Sequence, residues 1–342
     1  MEPRRSALRC CVVVSSVVVW LACAIAPTAG SQQASLRVAL IGFVHAQSRD
    51  SVALSNKLEG RLKDSLGSDP RVLLVDDSIV RSALRGLGYD GSINMNRDEA
   101  RRVGSAIGCD FFITGKVEIL TRSERKGESH EEAFGGVMIV NARTGDLTVF
   151  DFISSKANAK EAAINAIEKA VSDRVRGYID QIVQIRATGN IPASASAPNA
   201  TRAAVDFIED LPDEDSPRAA GFKPPEFLTR VKPSYTPEAE QADITATVEA
   251  MVVFRSNGQT GPIEITRWAG FGLDQSAAAT IRQLKFSPAL RDGNPINVRA
   301  LIRYNFRRLN DVSQPPGAPV PEPPAKPERD LRPIFKPTYR RP

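Results

Sequence analysis

The stretch ITATVEAMVVFRSNGQTGPIEI, residues 244–265, decides how the second half of this chain folds. Ile244, Ala246, Val248, Ala250, Val252 and Phe254 alternate with Thr245, Thr247 and Glu249, the period of a strand with one buried face. Ser256-Asn257-Gly258 is a hairpin turn signal, and Ile263 and Ile265 continue a second strand. Downstream, Asp274 is placed to cap a helix bearing Ala277, Ile281 and Leu284; Phe286 can drop into the core behind it, and Pro288 stops it. Gly293-Asn294-Pro295 then turns the chain into a last strand, where Ile296, Val298, Ala300, Ile302, Tyr304 and Phe306 alternate with Asn297, Arg299, Arg303 and Asn305. Residues 226–310 thus read as strand, hairpin, strand, helix, strand.

Residues 31–186 read as an alternating α/β domain with a mixed sheet, which makes the chain as a whole α+β. Leu36–Phe43 has the length of a buried strand, and Leu54, Leu58, Leu62 and Leu66 form one helical face. Val72–Val75 is a second strand, and Asp77 or Ser78 can cap a helix carrying Ile79, Ala83, Leu84 and Leu87. Asn96 with Glu99 three residues on resembles a capping box, opening a helix with Ala100, Val103 and Ile107 on one side. A long strand follows over Cys109–Leu120, then a polar loop over Thr121–Glu132, and strands over Phe134–Val140 and Leu147–Ile153 joined at Gly145. Ile164, Ile167, Val171, Val175, Tyr178 and Ile182 close the domain as a helix.

Composition sets the remaining boundaries. The 342 residues, 42% hydrophobic, leave room for two cores. Residues 187–225 are rich in Ala, Pro, Ser and acid and read as a disordered linker. Residues 311–342 read as a Pro-rich disordered tail. Residues 1–30 carry Arg4, Arg5 and Arg9 ahead of an apolar run, Cys10–Ala26, ended by Pro27 and followed by small residues. That is the form of a cleaved signal peptide. The run is also about the roughly 17 residues of the shortest membrane span, so a retained anchor stays open, and Cys23 leaves a lipoprotein site open. The expected location is the periplasm or cell envelope, with any membrane contact made only through this segment.

The chemistry-bearing residues are sparse. His45 and His130 are the only histidines, and Cys109 is the only cysteine beyond the leader, so neither a zinc site nor a Cys–His dyad has motif support. The neighbouring acids Asp76/Asp77 and Glu131/Glu132 diverge on a strand or a helix and read as surface or capping groups. No phosphate loop or nucleophile elbow is present. The expectation is no enzyme, no catalytic or metal-binding residue and no cofactor. A net charge of +5 falls to about +3 without the leader and is spread along the chain, which argues against nucleic acid.

The second domain resembles the TonB C-terminal domain family. The resemblance rests on seven signatures in order: Pro233-Ser234-Tyr235-Thr236-Pro237 with Ala239; Ser256-Asn257-Gly258; Gly270-Phe271-Gly272-Leu273-Asp274; Ala277-Ala278; Lys285-Phe286-Ser287-Pro288-Ala289; Asp292-Gly293-Asn294-Pro295; and Arg303-Tyr304-Asn305-Phe306. Residues 35–186 more loosely resemble the TolB N-terminal and curli-secretion lipoprotein domains, through the segments 38–43, 106–115 and 140–146. The first resemblance implies a last strand on an open sheet edge that pairs with an extended segment of a partner. The partner-binding residues it implies are Asn297, Val298, Arg299, Ala300, Leu301, Ile302, Arg303, Tyr304, Asn305 and Phe306. It also implies partners in the envelope, either an outer-membrane receptor in energy-coupled transport or an assembly component. Two alternatives to such a partner remain: an edge closed by the tail or by a second copy as a homodimer, and an assembly protein whose first domain carries the binding while the second dimerises or touches the cell wall. The chain departs from the transducer pattern, because its apolar segment leads straight into a folded domain and its richest proline tract comes last.

Overall fold

In the computed structural model the described residues are 35–123, 129–188, 207–213, 215–229 and 231–307. The leader and the Pro-rich tail lie outside them. The first half runs β1 (Leu36–His45), α1 (Arg49–Ser68), β2 (Val72–Leu74), α2 (Asp77–Leu87), α3 (Arg97–Ile107), β3 (Phe111–Ser123), β4 (Ser129–Asn141), β5 (Leu147–Ala157) and α4 (Lys160–Thr188). The sheet order is β2-β1-β3-β4-β5, with β1 parallel to β2 and β3 and the other pairs antiparallel. The fold is α+β with a mixed sheet, as the alternation of elements predicts.

Helices α1 and α4 cover one face of that sheet. Leu54, Leu58, Leu62 and Leu66 meet Ile167, Val171, Val175 and Ile182 across Val38, Ile113, Val137 and Ile139. Helices α2 and α3 cover the other face over β1, β3 and the end of β4. Over β4 and β5 that face carries Phe134, Met138, Phe150 and Phe152, and the second half of the chain covers them.

The second half adds β6 (Ile208–Asp210), β7 (Phe222–Lys223), β8 (Glu226–Phe227), α5 (Pro237–Gln241), β9 (Ala246–Phe254), β10 (Thr260–Arg267), α6 (Leu273–Arg282), β11 (Phe286–Ser287), β12 (Ala289–Arg291) and β13 (Asn294–Phe306). Its sheet is ordered β10-β9-β13-β12-β7, with β6 beside β13; β8 and β11 form a separate pair. Phe254, Phe286 and Phe227 stack edge-on inside it with Ile281, Ala289 and Val298. Asp292 and Gly293, both at positive φ, form the two-residue turn from β12 into β13.

The two halves meet on a loop of unusual backbone. Gly270, Phe271 and Gly272 all lie in the left-handed region, at φ 71°, 51° and 72°. A non-glycine residue there is uncommon, and Phe271 is held in place from three sides. Asp274 reaches back to accept the Ala269 and Gly270 N–H groups at 2.8 and 2.9 Å. The Thr236 hydroxyl donates to the Phe271 carbonyl. The ring, fully buried, packs on Phe150 and Phe152 at centroid distances of 4.9 and 5.8 Å. It lies directly over Gly136, where a Cβ would come within 2.8 Å of it; at Gly270 a Cβ would meet Met138 at 2.6 Å. Polar contacts ring this wedge. The Trp268 indole donates to the Gly145 carbonyl at 3.1 Å, and Asn94 bonds both backbone groups of Thr247. Gln241 and Arg122 enclose Glu132. Described residues from Ser35 onward therefore make one compact unit.

Several sequence expectations need correction. α2 is capped by Asp76, one or two residues earlier than expected, and each residue turns a helix by about 100°. Val80 is the buried residue of α2, with Ala83 and Leu84 packed partly against the same core, while Ile79 and Leu87 are 49% and 41% exposed. The described part of Thr121–Glu132 is strand and not loop; residues 124–128 lie outside the described residues. β3 and β4 continue as a polar ribbon, held by Thr121–Glu131 and Arg122–Glu132 contacts. Glu132 is 5% exposed and not on the surface, because the second half of the chain closes over it. Gly272, not Asp274, caps α6, since the Asp274 carboxylate is turned back onto the loop. α6 ends at Arg282, so Pro288 is not what stops it. Cys109 precedes β3, at the end of α3. In the expected linker, residues 189–206 lie outside the described residues, but 208–210 and 222–223 are strands paired with β13 and β12. No helix among the described residues is long and apolar enough to cross a membrane.

Two outcomes follow from the wedge. Phe271→Ala should cost about 3–5 kcal/mol by urea denaturation, the usual range for emptying a buried aromatic site. Burial pushes the Asp274 carboxyl up to about 6, against the two backbone hydrogen bonds that hold it down. A folded pKa above the unfolded value of 3.8 binds the proton more tightly when folded. The stability this contributes is complete below about pH 4 and lost as pH rises through about 6. Unfolding free energies of the native chain minus those of Asp274→Asn should therefore fall between pH 4.5 and 7; a flat difference would contradict this origin.

Candidate functional site

β13 is the strand on which the sequence places the partner contact. On one side it pairs with β9 along its length, from Val298↔Phe254 to Phe306↔Ala246. β12 takes Asn294–Ile296 at the start of the strand, and on the side away from β9 β6 takes Asn297–Arg299. Beyond Arg299, no strand among the described residues pairs with that side. Of the ten candidate residues, Asn297, Val298 and Arg299 therefore lie on a ladder already joined, whereas Ala300, Leu301, Ile302, Arg303, Tyr304, Asn305 and Phe306 lie on an unjoined one.

The phase of the ladder decides which amides face outward. The Leu211 N–H donates to the Arg299 carbonyl at 3.1 Å, so Arg299 presents its backbone to the outer side. Backbone direction alternates along a strand, so Leu301, Arg303 and Asn305 do the same, while Ala300, Ile302 and Tyr304 bond to β9. Side chains alternate as well. Val298, Ala300 and Phe306 are buried, with Ile302 and Tyr304 partly so, while Arg299, Arg303 and Asn305 are exposed. Arg299 pairs with Asp210 at 2.7 Å. Arg303 and Arg267 share Glu249, at 2.7 and 3.7 Å. Asn305 accepts from the Thr247 hydroxyl at 2.8 Å. The Asp210 hydrogen bond and charge raise the Arg299 pKa further.

The rest of the chemistry-bearing set is scattered. Among the described residues no group of three His, Cys, Asp or Glu side chains converges on a point that could hold a metal. Burial, with Asp110 beside it, pushes the Cys109 thiol up to about 12, which keeps it a neutral, unreactive group. His45 bonds the neighbouring Ala46 carbonyl, and Asp76 caps α2. Asp77 pairs with Lys63 at 2.6 Å. What the edge offers is a row of main-chain donors and acceptors beside apolar and cationic side chains, an arrangement that binds an extended chain. Sequence reasoning missed β6. Its signal was Phe207, Ile208 and Leu211 interleaved with acids, hidden by a composition that reads as linker.

Residues 231–307 match the family described as Gram-negative bacterial TonB protein C-terminal. Among solved structures, the chain is similar to the Pseudomonas aeruginosa TonB CTD at 17% identity, over 30% of this chain and 97% of that one, with a TM-score of 0.24. It is similar to the LpoB C-terminal domain from Salmonella enterica at 12% identity, over 37% and 84%, TM-score 0.26. It is also similar to TolB from Acinetobacter baumannii at 8% identity, over 74% and 38%, TM-score 0.25. Scores this low add nothing to the family match and the topology. No curated protein matches the sequence.

The ladder phase separates two prolines. Ile302→Pro removes an N–H bonded to β9 and should cost about 3 kcal/mol. Arg303→Pro removes one that faces solvent, where an edge strand tolerates proline, and should cost under about 1 kcal/mol. Urea denaturation of the two variants measures the difference.

Proposed function

With residues 231–307 forming a TonB C-terminal domain in a bacterial envelope protein, we propose that the chain binds an envelope partner by adding the partner's extended segment to the Ala300–Phe306 edge of β13. The observation that carries this reading is the outward ladder of Leu301, Arg303 and Asn305, which no other strand among the described residues joins, on a strand fixed by β9. Strand addition draws its affinity from main-chain hydrogen bonds and its selectivity from the alternate side chains. The partner is a protein of the envelope, either an outer-membrane receptor or an assembly component, and the site of action is the periplasm.

The buried wedge favours an adaptor over a long-reach transducer. The edge is carried on a body whose two halves share one core, so a load on β13 passes directly into the first sheet. A second reading, in which the first half carries the contact, draws support from Ile79 and Leu87, exposed on one face of α2.

Capture of envelope proteins on immobilised full-length chain distinguishes the two. Arg303→Pro should abolish capture under the edge reading, while Arg303→Lys, which keeps the amide and the charge, should retain it. Ile79→Glu with Leu87→Glu should leave it unchanged. The reverse pattern would move the site to α2, and capture indifferent to Arg303→Pro would reject strand addition.

A further inference from the structure

The outward ladder of β13 is occupied at its beginning by the chain itself. β6 runs parallel to β13, with Ile208, Glu209 and Asp210 opposite Asn297, Val298 and Arg299. Its side chains follow the same alternation as the strand it joins. Asp210 lies on the outer face against Arg299, 2.7 Å away. Leu211, the next inward residue, packs into the core of Ala250, Val252 and Phe254. Glu209 is paired with Arg291, which also bonds the Arg218 and Ala220 carbonyls at 2.8 Å. The attachment is light. β6 has three residues, Phe207 and Ile208 are 77% and 43% exposed, and the Arg299–Asp210 pair is open to solvent. Exposed ion pairs of this kind contribute little and are screened by salt.

Past Arg299 the strand offers the same surfaces, and no strand among the described residues occupies them. Ala300, Ile302 and Tyr304 lie on the inner face, and Arg303 on the outer face shares a single Glu249 with Arg267. We infer that β6 is an intramolecular ligand of this edge: the ladder accepts an extended polypeptide that is acidic opposite Arg299 and apolar opposite Ala300, and β6 holds the first rungs until such a segment displaces it. This rests on the strand-addition reading and specifies the partner's chemistry. It also makes partner affinity depend on how firmly β6 is held, since a segment that takes the whole of Asn297–Phe306 must first displace it.

The test uses the full chain and a fluorescein-labelled peptide copying residues 205–213, VDFIEDLPD, followed by anisotropy. Glu209→Pro in the chain removes the ladder N–H of β6 together with its Arg291 pair. The peptide should bind this variant at least tenfold more tightly than the unaltered chain. A peptide carrying Asp210→Lys should bind the variant at least tenfold more weakly than the parent peptide. Adding Arg299→Glu to the variant should reverse that preference. Equal affinity for both chains, or no charge preference, overturns the inference. If Glu209→Pro does not fold, hydrogen exchange on the unaltered chain replaces it: excess peptide should strip protection from the Leu211 amide, and unchanged protection overturns the inference. Partner capture that depends on the Arg303 amide but ignores peptide charge leaves strand addition standing and removes this inference alone.

Discussion

The packing of Phe271 against β4 and β5 is the constraint on which the rest of the architecture depends. One ring fills the space over Gly136 between Phe150 and Phe152. To reach it, three consecutive residues adopt the left-handed conformation, which is costly for the middle one because it carries a Cβ. Two glycines, the Asp274 carboxylate and the Thr236 hydroxyl offset that cost by closing the loop's own hydrogen bonds. Without the wedge, half of one sheet face (Phe134, Met138, Phe150 and Phe152) would lie open to water. Burying such a face is the dominant favourable contribution available to a sheet whose helices on that side, α2 and α3, leave β4 and β5 largely uncovered.

That arrangement also places the edge of β13. The strand is anchored on β9, whose start is held by Asn94 of the first half through both backbone groups of Thr247. Arg97 pairs with both Asp146 and Glu264 and so bridges the two halves near β10. The outward ladder is therefore presented on a stiff support, which lowers the ordering cost that an incoming chain must meet. The remaining charge on that side is cationic, and the chain's own acids at 209 and 210 already use it.

Much of this was legible from periodicity. The strands and the helices α1, α3 and α4 appear where the apolar spacing puts them, and the Asn96–Glu99 capping box forms as written. These features are local: a period of two or 3.6 specifies one buried face whatever lies against it. Of the four apolar residues expected on the buried face of α2, Ala83 and Leu84 pack on the core beside Val80, while Ile79 and Leu87 face outward, because which stripe of a short helix is covered depends on what packs against it. The polar extension of β3 and β4 was missed because its charged and hydroxyl side chains show no apolar alternation. Residues 207–213 were read by composition, which cannot register that a short acidic stretch has a matching pair of arginines waiting about 80–90 residues later.

The sequence by itself determined the long helices and strands, the order strand, hairpin, strand, helix, strand in the second half, and the alternation that makes β13 a one-face-buried strand. Tertiary structure alone decided that the two halves share a core, that Glu132 is buried, and that the outward ladder begins at Leu301 with β6 occupying the rungs before it. The reason is physical. Periodicity records which face of an element avoids water, but not which other surface covers it, and the contacts that answer that question join residues more than a hundred positions apart, such as Gly136 and Phe271.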